Sequence, residues 1–372
     1  MLFIAELLAA VAAFLWLVIL LLPWQPWRNN EVLPLPADAG SGDLSDTTVV
    51  IPARDEAGII GQTLAALAGQ GPGLRVVLVD DGSTDGTAEA ARAVPGLNLG
   101  VVAGQPLPEG WSGKVWALEQ GVRRVETPLT LLIDADVALD PGVVAALRAQ
   151  MRRGGYQFVS VMASLSMRSF WEKLLNPSFI YFFKMLYPFR LAKTNNPLFY
   201  SAAGGCIMLE TRVFPAIGGL ASIRGELNDD CALARQVKRA GFRTWIGQSR
   251  AVCSTRAYHG LGDIWNMVAR SAYTQLRYSP LILLLTIFFV VTLFLVPVAS
   301  WAAPARQVQG LGLLAWAMMV ASYLPTLRFY GMSPLWALLL PLVGALYAGM
   351  TWSSALRYWR GERSRWKGRV YR

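Results

Sequence analysis

Three acidic clusters stand where a strand should end or a helix begin: Asp80 and Asp81 in VLVDDGSTDGT, Asp134 and Asp136 in LTLLIDADV, and Asp229 and Asp230 in GELNDDCALARQVKRAGF. The first two follow apolar runs that read as buried parallel strands. Ligands of an open α/β sheet gather just beyond the carboxyl ends of such strands. Carboxylates placed there suit a divalent cation, a nucleotide or a general base better than they suit a core. In DAD the two acids are i and i+2, which point to one side of an extended chain. They repel unless a cation or water intervenes, and hard oxygen ligands favour Mg²⁺ or Mn²⁺. Such an ion can bridge a diphosphate and neutralise it as a leaving group. A solvated turn accounts for the same residues without chemistry.

The other acids also have two readings. IPARDE sets Asp55 and Glu56 after the first strand, and VDDGST sets Asp81 after the second, beside Gly82, which permits a tight backbone turn. There a carboxylate can accept from a base edge or from ribose hydroxyls, or it can simply favour a helix N-terminus. Capping explains one acid of Asp229-Asp230. The second is then available as a general base, which needs an acceptor within hydrogen-bond reach of the nucleophile's hydroxyl. The chain's one histidine, His259, argues against Ser-His-Asp, Cys-His and His-rich zinc chemistry, and is read as a structural hydrogen-bonding residue. Cys206, Cys231 and Cys253 have no C-x-x-C spacing; they form no disulfide framework and agree with a reducing compartment.

These acids need a sheet to hold them. TVVIP, RVVLVDD, LNLGVVAG and TPLTLLIDAD read as strands. Helices from ARDEAGIIGQTLAALAGQ, STDGTAEAARAV (capped by Ser83 or Thr84) and GKVWALEQGVRRV lie between them. Alternating β and α elements with near-continuous apolar strands predict an α/β fold with a doubly wound, mostly parallel sheet.

Of the 372 residues, 54% are apolar and 16% charged, and the apolar excess is localised. Leu2–Leu22 carry one charge, Glu6; Leu281–Ala303, Leu311–Leu327 and Leu335–Trp352 follow. Each is long enough or nearly so to cross a bilayer. Trp24 and Trp27 suit an interfacial belt after the first run, which reads as an uncleaved anchor. FWEKLLNPSFIYFFKMLYPFRLAK sets aromatics on one helical stripe, with Lys173, Lys184, Arg190 and Lys193 mostly off it; a core helix and a helix in the membrane interface both fit. The net charge of +10 is concentrated in Arg357, Arg360, Arg363, Arg365, Lys367, Arg369 and Arg372. A solvated, disordered tail would account for them, but their position directly after the last apolar run better suits an anionic membrane surface. Nucleic acid is not an expected partner, since no zinc-finger or RNP-type motif accompanies the charge.

The ordered set PARDE, VDDGSTDGT, GKVWALEQG, DADV, AGGC and a helix-opening acidic pair resembles the family 2 glycosyltransferases of GT-A fold, over about Thr48–Pro280. More narrowly, GWSGKVWAL, SFWEKLLNPSFIYFFKMLYPF, AAGGCIM, IRGELNDDCALAR and ARSAYTQLRYS resemble the hopanoid-biosynthesis-associated glycosyltransferases, relatives of ceramide glucosyltransferase. The resemblance implies an inverting displacement on a nucleotide-diphosphate sugar, with Mg²⁺ or Mn²⁺. Asp55, Glu56 and Asp81 would face the nucleoside, with Arg270 or Arg277, and Lys114, as candidates for the diphosphate; Lys114 reads equally well as a solvated helix-start lysine. Asp134 and Asp136 would form the DxD element that holds the metal, Asp136 ahead of Asp134 as its direct ligand, and Asp134 would also face the donor. Asp230 would be the base, with Gly204, Gly205 and Asp229 on the acceptor side. Two departures stand out. Asp229 replaces the family's usual Glu, and Gln275-Leu-Arg277-Tyr278 is one residue shorter than the Gln-x-x-Arg-Trp element of processive polymerases.

The expected organisation is an anchor at 1–28, a linker at 29–47, and a GT-A domain at 48–280 with interfacial helices near 168–193 and 262–280. A transmembrane region at 281–355 and a basic tail at 356–372 follow. The expected activity is transfer of a sugar to a lipid hydroxyl, by resemblance a hopanoid or other polyisoprenoid, at the cytoplasmic face of a bacterial-type inner membrane. The alternatives are a processive polysaccharide synthase, transfer to a sphingolipid or polyprenyl phosphate, a sugar nucleotidyltransferase, and an inactive membrane scaffold. The charges conflict on topology. Arg28 follows the first run with no Lys or Arg before it, which puts the domain inside. Three further spans would then put the basic tail outside. A cytoplasmic tail, with one C-terminal run failing to span, resolves the conflict.

Overall fold

The computed structural model describes residues 2–35, 42–362, 364–366 and 369–371. The middle of the expected linker and parts of the basic tail lie outside the described residues. Runs of β-branched and aliphatic residues build β1 (Thr47–Ala53), β2 (Arg75–Asp80), β3 (Asn98–Ala103), β4 (Leu129–Ile133), β5 (Val137–Leu139), β6 (Phe158–Ser164), β7 (Cys206–Glu210) and β8 (Thr244–Ser254). Every residue of β1 is buried, as a strand covered on both faces must be. The sheet runs β3-β2-β1-β4-β7-β6-β8-β5. Pairing is parallel through β3, β2, β1 and β4, and again between β6 and β8. β7 is antiparallel to both its neighbours, and β5 is antiparallel to β8.

The reversed strands matter for what gathers at the edge. Cys206, which opens β7, pairs with Ile133, which closes β4, so the residues before Cys206 reach the edge where Asp134 emerges. Ser254, which closes β8, pairs with Val137, which opens β5. The chain after β8 is thereby delivered beside Asp136.

Helices Ala57–Ala68 and Gly113–Val122 pack on this sheet. The second lies so close to β1 that a Cβ on Gly121 would stand 2.4 Å from Val50 Cγ1, so any larger residue there must displace Val50. Helix Asp229–Arg239 buries Leu233 and Val237, the face its spacing predicts. The capping expected of Ser83 or Thr84 is not what forms. The helix begins at Thr87, where the Asp85 carboxylate accepts from the Thr87 amide (3.1 Å) and hydroxyl (2.5 Å). Ser83 Oγ instead accepts from the Asp55 amide at 3.0 Å, because the loop folds back over the end of β1.

The chain divides into two compact units. One comprises Glu31–Ser166 and Tyr187–Ala257 and holds the sheet; the other comprises Met1–Asn30, Met167–Leu186 and Tyr258–Arg372. The helices Phe170–Leu186 and Leu261–Ala269, expected as interfacial parts of the catalytic domain, thus belong with the apolar helices. In that second unit four helical segments are long and apolar enough to cross a membrane: Leu2–Leu21, Pro280–Ala302, Arg306–Phe329 and Pro334–Trp359. Length therefore singles out none of the C-terminal runs as too short to span. Within this unit Leu174, Leu175 and Tyr181 pack with Trp16, Met319 and Val343. Lys184, expected off the stripe, is buried at 2% exposure. Its ammonium donates to the Arg28 carbonyl at 3.2 Å and to Asn29 Oδ1, partners that replace water around the charge.

Candidate active site

The carboxyl ends of β1, β2 and β4 and the start of β7 bring the predicted acids into one unit. On the β1 and β2 side, Asp81 is buried, and its amide donates to the Ala53 carbonyl at 2.8 Å. Arg54 holds it in place: Nη1 donates to the Asp81 carbonyl and lies 4.0 Å from Asp81 Oδ2. Asp55 turns the chain with φ 50°, a conformation that Asp tolerates better than most side chains. Its carboxylate accepts from the Thr84 amide at 2.9 Å, so the two loops are laced together.

Lys114, at the start of helix Gly113–Val122, is the hub of the other side. Its ammonium stands 2.8 Å from Asp134 Oδ1 and 3.3 Å from Asp229 Oδ2. Burial alone would push the ammonium down, but Asp134, Asp229 and Asp230 together hold it above the usual lysine range. Lys114 is therefore no solvated helix-start lysine. Burial raises Asp134, and Asp136 and Asp229 add to that against the opposing pull of Lys114.

Asp229 and Asp230 open their helix as expected, but the cap position falls to Asn228, whose side chain makes no capping hydrogen bond, and both acids lie in the first turn. Asp230 Oδ1 accepts from the Cys231 amide at 2.7 Å. Burial and then the Asp229 charge push Asp230 up to about 7, into the range in which a carboxylate can take a proton near neutrality. Gly204 lies against these groups: a Cβ there would be 3.2 Å from Lys114 Nζ and 3.6 Å from Asp230 Oδ2. Gly205 accepts through its carbonyl from the Asp134 amide at 3.3 Å. A small cavity lined by Lys114, Asp134, Gly204, Asp229, Asp230 and Leu233 opens between them.

Asp136 diverges from Asp134 toward β8. Arg256 Nε donates to Asp136 Oδ2 at 2.7 Å, and Nη2 to Glu56 Oε1 at 2.7 Å. Sequence reasoning missed Arg256 because its partners come from two distant loops and no motif surrounds it. Its only signal was a basic residue two positions after a long strand. Tyr187 was missed likewise; burial pushes its phenol up, with Cys231 and Asp230 adding to this. Arg277 belongs to the apolar unit and sits at φ 52°, so its donor role rests on the resemblance alone.

Among the described residues no three His, Cys, Asp or Glu side chains converge as a ready-made cation cage. The donor set still fits a hard cation of the Mg²⁺ type. Such an ion takes one or two carboxylates and completes its shell with water and substrate phosphates, and Asp136 is a second acid near enough to Asp134 to help raise it.

Residues 45–273 match the family described as "Glycosyltransferase like family 2". The chain is 38% identical over 90 residues to the 4,4'-diaponeurosporenoate glycosyltransferase of Staphylococcus aureus (strain USA300), a match covering 24% of each chain. In structure it resembles the mannosyltransferase PcManGT of Pyrobaculum calidifontis, solved in complex with GDP-Man and Mn²⁺. That likeness has a TM-score of 0.58 at 18% identity, over 96% of this chain and 100% of the other, and it is one of fold.

Proposed function

The chain belongs to the glycosyltransferase family 2 group, and from that premise we propose that it moves a sugar from a nucleoside-diphosphate sugar to the hydroxyl of an apolar lipid, with inversion. The observation that carries this reading is Asp230, held near neutrality beside Lys114 and Gly204. Its carboxylate takes the acceptor's hydroxyl proton as that oxygen attacks the anomeric carbon. The bond to the diphosphate breaks, and the nucleoside diphosphate leaves with the electron pair. Asp55, Glu56 and Asp81 hold the nucleoside end. Lys114 balances Asp134 and Asp229, whose like charges would otherwise repel one another. Asp134 and Asp136 would hold Mg²⁺ or Mn²⁺, which supplies charge neutralisation of the departing diphosphate.

An apolar acceptor is supported by the loop that leads into Gly204. Leu198 is 78% exposed and Phe199 39%, an apolar tip tied down by hydrogen bonds to its backbone. Lys238, on the helix that carries Asp230, donates to the carbonyls of Asn196 (3.1 Å) and Phe199. The resemblance read in the sequence favours a hopanoid or other polyisoprenoid, and the S. aureus relative is itself named for 4,4'-diaponeurosporenoate. The purified full chain, incubated with membrane lipid extract and a panel of nucleotide sugars, should yield a lipid carrying one sugar, seen by mass spectrometry. A polymer ladder would favour a polysaccharide synthase, and glycosylation of water-soluble acceptors alone would overturn the lipid assignment.

We place the enzyme in a bacterial-type cytoplasmic membrane with the sheet unit in the cytoplasm. The basic residues from Arg357 onward favour a cytoplasmic tail, which requires that one C-terminal apolar helix does not cross. A cysteine introduced as Ser364→Cys should then resist an impermeant thiol reagent applied to intact cells. Labelling from outside would mean three true spans and an external tail.

A further inference from the structure

Arg256 stands at an unusual place for a structural ion pair. Its guanidinium joins Glu56, at the end of β1, to Asp136, the second acid of DAD, with both bonds at 2.7 Å. These are the nucleoside end and the cation end of the cleft, and a diphosphate has to cross between them. Glu56 is nearly buried at 8% and Asp136 at 17%, whereas Arg256 keeps 35% of its side chain open. The backbone on either side is pinned independently, because the Thr255 amide and hydroxyl both donate to the Asp136 carbonyl at 2.7 and 3.1 Å. The guanidinium can therefore turn about its own side chain without moving β8 or DAD. A carboxylate oxygen engaged by this guanidinium is withheld from a cation, and the adjacent positive charge repels one. Once released, the planar fork matches phosphate oxygens better than an ammonium would.

We propose that Arg256 is a placeholder exchanged during donor binding: it neutralises Asp136 and Glu56 in the empty site, yields Asp136 to the divalent cation, and turns to the donor's diphosphate. This rests on the assignment of Asp136 as a cation ligand made above. The proposal gives Arg256 two opposite effects, which a merely structural ion pair would not have.

The test compares wild type with Arg256→Gln in the full chain, using Mn²⁺ alone followed by electron paramagnetic resonance, and GDP and UDP in the presence of Mn²⁺ followed by calorimetry. Removing the competing charge should tighten Mn²⁺ binding by about tenfold. Removing the fork should weaken binding of the preferred nucleoside diphosphate by about tenfold. If Arg256→Gln fails to fold because Glu56 loses this contact, Arg256→Lys keeps a positive charge there and removes only the fork, so nucleoside-diphosphate binding should weaken while Mn²⁺ binding stays near wild type. Affinities that fall together, or stay unchanged, overturn the exchange while leaving the glycosyltransferase reading intact. A wild type that binds no Mn²⁺ with or without nucleotide removes the cation assignment, and the exchange falls with it.

Discussion

Asp230→Asn should lower kcat by about 10²–10⁴-fold, the usual contribution of a positioned general base, while affinity for the nucleoside diphosphate stays near wild type. Asn keeps the shape of the side chain and can still accept from the Cys231 amide, so the change is confined to the proton. Equal losses of donor affinity and rate would make Asp230 a donor or structural residue instead. The pH profile follows from the same carboxyl. Burial and Asp229 push it up to about 7, so the wild-type rate should climb through about pH 7 and level above it, and Asp230→Asn should lose that limb. The linkage to stability has the opposite sense. Between the ordinary carboxylate range and about 7, the folded chain holds a proton that the unfolded chain has already lost. This group therefore makes stability fall as pH rises across that window. Thermal unfolding above pH 7 should find Asp230→Asn more stable than wild type, a gain that mere damage to the fold would not give.

Why Asp230 could be read from sequence, and Arg256 could not, is a matter of which contacts are local. Strands of the β1 and β4 type announce themselves by apolar runs, and acids directly after such runs are bound to sit at the sheet's edge. Asp55, Asp81, Asp134 and Asp136 were legible for that reason. Two acids at a helix start exceed what capping uses, and this drew out Asp230 as a candidate. β5 has three residues and pairs with β8 across more than a hundred positions, so no local period marks it. Without β5 and the reversed β7 there is no way to foresee that the chain after Ser254 meets Asp136. Lys114 shows the same limit, for its charge looks solvated until Asp134 and Asp229 are folded against it. Periodicity also does not say which unit a helix joins. An aromatic stripe such as that of Phe170–Leu186 tells a helix that it must bury a face, but not which neighbour will cover it.

The remaining test with a large expected effect concerns the DAD acids, where two charge states of the site compete. Lys114 and Arg256 already supply a positive charge to each of Asp134 and Asp136. A site that relied on these two cations alone would keep full activity in EDTA. A site that trades them for Mg²⁺ or Mn²⁺ would lose turnover on chelation and regain it on adding either ion back. The second outcome is expected, because a monovalent guanidinium shared with Glu56 leaves less positive charge for a departing diphosphate than a divalent ion does. Outer-shell partners of metal sites are commonly worth about 10–100-fold in affinity or activity, so removing a direct ligand should do at least as much. Asp136→Asn is accordingly expected to weaken Mn²⁺-dependent GDP or UDP binding by about a hundredfold or more and nearly to abolish transfer. Asp134→Asn should be distinguishable from it. That change also frees Lys114 from its closest partner, so the positive charge beside Asp230 is less well balanced and the pH limb should shift downward. A shift seen with Asp136→Asn but not with Asp134→Asn would reverse the two roles, since Lys114 reaches only Asp134 of the pair.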